Sequence, residues 1–68
     1  HNMNTIWHIL LTVCLDTQMH QCVSQDIQWF ESEKQCRIMR KEYEAIPNDG
    51  DWKHIEYICK PVKAKYAT

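Results

Sequence analysis

The chain has 68 residues, a formal net charge of −1, four cysteines, three tryptophans and a single glycine. That length holds one domain with a small core, and domains of this size are commonly stapled by a disulfide, a metal or a partner chain. The near-zero charge gives no global field to gather nucleic acid or anionic lipid, and a lone glycine rules out a Gly-rich phosphate loop.

The first element is carried by "WHILLTVC", Trp7 to Cys14. As a signal peptide it lacks a basic n-region and a small-residue cleavage site, and His8 interrupts its apolar run. As a lipoprotein box it would need a small residue before Cys14, where Val13 stands. It is too short to span a bilayer. Its Ile, Leu, Val, Trp and Thr content fits a β-strand. With export unsupported here, the expected compartment is cytoplasmic, with the periplasm as the alternative. His1 and Asn2 precede Met3 and read as a tag remnant. The domain is expected to span residues 3–62, with 63–68 as a flexible basic tail.

A second apolar run, "CVSQDIQWF", follows a polar connection. An antiparallel hairpin with Cys14 opposite Cys22 sorts the side chains. Val13 then faces Val23, Leu11 faces Gln25, Ile9 faces Ile27 and Trp7 faces Trp29. The other face pairs Thr12 with Ser24, Leu10 with Asp26 and His8 with Gln28. A slip of one residue would exchange the faces, so this register is favoured. Both Trp7 and Trp29 are expected in the core. The connection from Leu15 to Gln21 lacks glycine and exceeds a tight two-residue turn, so an irregular loop is expected.

"FESEKQCRIMRKEYEAIPNDGD" reads as a helix and its exit. Ser32 and Gln35 have capping-box spacing. Cys36, Met39 and Tyr43 fall on one stripe, with Ile38 and Ile46 beside it. Lys34, Arg37 and Lys41 mark another face, diluted by Glu33 and Glu44 and read as solvated. Pro47 ends the helix at Ile46 or earlier, and "PNDGD" supplies turn residues. "WKHIEYICKPV" is the third strand, in which Pro61 is expected to stop ladder pairing.

The order is therefore β-β-α-β, an α+β fold. The first strand has apolar residues on both faces, which places it at the centre of a three-stranded antiparallel sheet of order 2-1-3. The helix passes from strand 2 over strand 1 to strand 3, a crossover expected to be right-handed. Cys36 on the helix stripe and Cys59 on the covered strand face are candidate disulfide partners. Cys14 and Cys22, opposite each other on the outer face, are a second candidate pair. The alternative is four reduced thiols in a reducing compartment.

No two cysteines have the close spacing of a structural zinc site, and Cys14, His20 and Cys22 lack an evident fourth ligand. His8, His20 and His54 are possible bases, and Cys14 or Cys36 a nucleophile only with a lowered pKa. Asp16, Asp49 and Asp51 have no metal-motif spacing. No cofactor, metal or catalytic residue is expected, and the protein is read as non-enzymatic.

The segments "MNTIWHILLTVCL", "IQWFESEKQC" and "YICKPV" resemble a family of small enterobacterial and prophage proteins. Those share a hydrophobic start ending in Cys, a "WF…EQC"-like middle and a C-terminal "C-x-P" element. The resemblance covers Met3 to Val62. It carries no activity or catalytic residue to this chain, and "YEAIPNDGDWKHIE" is longer than the matching segment in shorter relatives. It implies an accessory gene of phage origin.

With the helix on one sheet face, the other is expected to be open and to carry Ile6, Leu10, Phe30, Trp52, His54 and Ile58. An open sheet face is normally polar, whereas an apolar patch rimmed by polar groups marks an interaction surface. The expected function is binding of a protein partner, here a host protein, or of a second copy. A structural self-associating protein and a small disulfide-stabilised periplasmic protein are the alternatives. Nucleic acid and membrane are not expected partners. The competing arrangement for the open face lays Val62 and Tyr66 over it.

Overall fold

Thr5–Cys14 form β1, Cys22–Phe30 form β2, Glu33–Glu44 form α1 and His54–Lys63 form β3. They belong to a computed structural model that describes residues 5–48 and 50–63. Residues 1–4, Asp49 and residues 64–68, Tyr66 among them, lie outside the described residues. The three strands make one antiparallel sheet of order β2-β1-β3, an α+β fold with a single helix. The central place of β1 fits its sequence, which carries bulky apolar groups on both faces along most of its length.

Backbone geometry fixes which groups point where. The Cα atoms of Cys14 and Cys22 are 4.1 Å apart, the narrow spacing of a cross-strand pair that exchanges no backbone bond. Next to it, the Leu15 N–H donates to the Gln21 carbonyl. On the other side the Cys14 carbonyl accepts from the Lys53 N–H. By alternation, odd residues of β1 bond β2 and even residues bond β3.

The hairpin register runs as expected from Cys14↔Cys22 to Leu10↔Asp26, and then it shifts. Ile9 lies opposite Gln28, His8 opposite Trp29 and Trp7 opposite Phe30. Ile27 is the extra residue of a β-bulge, which re-aims the side chains that follow it. This corrects three expected pairs. Trp29 does not face Trp7; it turns to the other face, stacks on His8 with ring centroids 4.6 Å apart, and stays 51% exposed. Phe30 moves the opposite way, to the face shared with Trp7.

β3 runs through Pro61 to Lys63, with Trp7↔Pro61 and Thr5↔Lys63 paired. The expected break at Pro61 is absent for a geometric reason. Pro61 sits opposite an odd residue of β1, so its backbone nitrogen points to the free edge. A proline there removes no ladder bond, the position sheets tolerate. Lys63 is accordingly part of the strand and not of a tail.

The helix lies over the face of Ile9, Leu11 and Val13. Cys36 bonds Cys59, whose Cα is 6.1 Å away. The Tyr43 ring stacks on Tyr57 at 5.5 Å, and the Tyr43 hydroxyl donates to Gln28 Oε1 at 2.8 Å. Among the described residues only Ile9, Cys14 and Cys36 are fully buried apolar side chains. Ile38 and Ile46, expected beside the buried stripe, are 55% and 60% exposed.

The helix starts where the capping pattern predicts. Ser32 is the N-cap, extended at φ −140°, ψ 154°, and its Oγ accepts from the Gln35 N–H at 3.2 Å. Glu33 and Arg37 form an i,i+4 ion pair on the solvent side, in the favourable acid-first order. The helix ends at Glu44, two residues ahead of the residue that Pro47 restricts. Ser32→Ala is expected to cost about 1 kcal/mol through loss of the cap, read as a lower urea midpoint with an unchanged slope.

Candidate functional site

Even-numbered residues of β1 and β3 share the face that α1 leaves uncovered. Ile6 lies opposite Val62, Leu10 opposite Ile58, Thr12 opposite Glu56 and Cys14 opposite His54. From β2 the same face receives Cys22, Ser24, Asp26 and, after the bulge, Trp29. Among the described residues no helix or strand covers it.

Of the six expected face residues, Ile6, Leu10, His54 and Ile58 are brought together here. The other two are not. Phe30 is carried to the helix side by the bulge. Trp52 precedes β3, so strand parity does not place it. Asn48 shapes this turn: its Oδ1 accepts from the Gly50 N–H at 3.1 Å and its Nδ2 donates to the Trp52 carbonyl at 3.0 Å. The Trp52 ring then lines a hollow on the helix side with Leu11, Val13, Ile55 and Tyr57.

Sequence reasoning missed Trp29 and the environment of His8. His8 is 7% exposed, under the Trp29 ring. Its Nδ1 is 2.7 Å from Asp26 Oδ1, close but outside hydrogen-bond geometry. No spacing rule announces a bulge inside "QDIQWF", and the unbulged register buries more apolar groups on paper.

Thr12 Oγ1 and Ser24 Oγ are 2.7 Å apart. His54 Nε2 and Glu56 Oε1 are 3.6 Å apart. The exposed Lys60, opposite His8, lies on the same face. Among these polar groups stand Ile6, Leu10, Ile58, Val62 and one side of Trp29. At the end of the sheet β2 stops opposite Trp7, so Ile6 has no partner on that side. A groove opens round that end between Ile6, Trp29, Phe30, Ile38 and Met39.

Chemically the site is sparse. Both candidate disulfides are formed, Cys14–Cys22 and Cys36–Cys59, so no cysteine is a free thiol. Among the described residues no three His, Cys, Asp or Glu side chains converge as metal ligands. The His8–Asp26 contact has the look of a base and its orienter, yet the hydroxyls on this face, Thr12 and Ser24, bond each other. Lys34, Arg37 and Lys41 lie on the exposed side of α1, with Arg37 held by Glu33. Among the described residues no helix is long and apolar enough to cross a membrane.

Fold and site together define a small α+β protein with two disulfides and one sheet face that the helix leaves uncovered. No family model, curated protein or solved structure matches the chain.

Proposed function

We propose that this is a non-enzymatic binding protein that engages a protein partner through the open sheet face. One observation carries the reading: half-buried Ile6, Leu10 and Ile58, with exposed Val62 and Trp29, stand together on that face among polar groups such as Thr12, Ser24 and Glu56. Apolar groups rimmed by polar ones mark an interaction surface, and tryptophan is a frequent anchor. The absence of a thiol and of an available hydroxyl beside His8 supports binding over catalysis. The resemblance to enterobacterial prophage proteins supports a phage accessory factor acting on a host protein. Two disulfides support an oxidising compartment, the periplasmic alternative, over the cytoplasm.

The test is capture of a partner from a bacterial lysate with the parent chain and with Leu10→Lys/Ile58→Thr. Lysine at position 10 faces Asp26, and threonine suits a strand, so the fold is retained. The parent is expected to retain a partner that the double variant loses, while Trp52→Ala on the helix side keeps it. Equal capture by parent and double variant contradicts the reading.

A further inference from the structure

The two edges of the sheet are built differently. On β3 the outward position at Pro61 has no N–H, and Lys60 and Lys63 flank it. Proline and lysine are the usual devices that keep an edge from pairing. β2 has neither. Its nine residues, Cys22–Phe30, include one charge, Asp26, and no proline or glycine. Its bulge comes late, after Asp26, so the stretch Cys22–Asp26 is regular strand with its edge exposed. In that stretch Cys22, Ser24 and Asp26 lie opposite even residues of β1, so their N–H and C=O groups point away from the sheet.

We infer that β2 pairs antiparallel with β2 of a second copy, joining two three-stranded sheets into one of six strands. The sequence is self-complementary in one register. With Ser24 opposite Ser24 on the two-fold axis, Cys22 of each copy lies opposite Asp26 of the other, and every outward group in the stretch meets an outward group. Such pairs exchange both backbone bonds. Centring the axis on Asp26 would set two carboxylates directly opposite each other, which is unfavourable. The Ser24 register also carries the 15–21 loop of the second copy alongside Trp29 and the groove at the sheet end. That loop presents Met19, which is 54% exposed and held at φ 61°.

Val23 and Trp29, 64% and 51% exposed, are both on β2. The axis is perpendicular to the sheet, so the open faces of the two copies lie on the same side. The pairing uses the edge, not the face, and does not rest on the partner reading above.

The experiment is sedimentation equilibrium of the full chain with both disulfides intact, at concentrations up to about 1 mM. The parent is expected to reach twice the 8.2 kDa chain mass. Ser24→Pro removes an outward N–H that bonds nothing in β1, so it is expected to stay at the single-chain mass with unchanged circular dichroism. Met19→Asp, in a backbone region that aspartate tolerates, is expected to weaken association at least tenfold. Leu10→Lys/Ile58→Thr is expected to associate as the parent does. A parent that stays monomeric throughout overturns the inference, as does a Ser24→Pro chain that dimerises normally. If Ser24→Pro does not fold, parental association by Met19→Asp overturns it. Loss of association in Leu10→Lys/Ile58→Thr alone assigns self-association to the face and rejects the edge.

Discussion

Reduction of both disulfides is expected to unfold this domain. The Cys36–Cys59 bond closes a loop of 23 residues and Cys14–Cys22 one of 8. Chain entropy alone assigns them about 3.4 and about 2.5 kcal/mol respectively. A domain has only about 5–15 kcal/mol in total, and one this small sits at the low end. The buried apolar side chains cannot make up the loss, since two of the three fully buried ones among the described residues are themselves disulfide cysteines. The bonds also do different work. Cys14–Cys22 closes a hairpin already held by backbone pairing, whereas Cys36–Cys59 ties the helix to the sheet. Cys36→Ala/Cys59→Ala should therefore cost more than Cys14→Ala/Cys22→Ala, and should release the Tyr43–Tyr57 stack. Thermal melts of the two double variants check the order. Equal melting temperatures would mean that α1 is held by other contacts.

Ile9→Ala is the second large effect. Ile9 is the one fully buried aliphatic side chain among the described residues, with Gln28 opposite it on β2 and Cys59 on β3. Truncating it leaves a cavity beneath the Cys36–Cys59 link, for which the usual cost is about 2–5 kcal/mol. Trp29→Ala provides the contrast. The ring is larger but half exposed, and its main partner is His8. Its loss should cost well under the Ile9 figure, despite the greater volume removed. Urea denaturation of the two variants decides between them. A Trp29→Ala chain less stable than Ile9→Ala would restore the unbulged register, with Trp29 in the core.

That contrast marks where the sequence stopped being readable. The cysteine pair and strict alternation over "LTVC" and "CVSQ" pin the hairpin from its loop end, and Leu10↔Asp26 follows. Beyond it, Ile27 and Trp29 looked like core because apolar character is all a sequence displays. A bulge depends on strand twist and on which side of the ladder has room. Phe30 and Trp29 exchanged faces as a direct consequence. Strand parity assigns Trp52 to the open face, but parity holds only inside the ladder, and the Asn48 side chain turns the chain before β3 begins. A proline in a strand signals a stop until the register shows which way its missing N–H points. The cap at Ser32 and both cysteine pairings were legible because each rests on local spacing or on a simple count of faces. On the open face, Ile6, Leu10, His54 and Ile58 were legible by alternation. The stacking of Trp29 on His8 was not, since it depends on the shifted register.

The central claim is that the uncovered face, and not the helix, is where this protein meets its partner. Backbone amide chemical-shift mapping of the parent chain against the partner it captures tests that most directly. The account predicts perturbations concentrated at Ile6, Leu10, Trp29, Ile58 and Val62, with Lys34, Arg37 and Lys41 unaffected. Perturbations centred on that helix face, with the sheet residues silent, would contradict it.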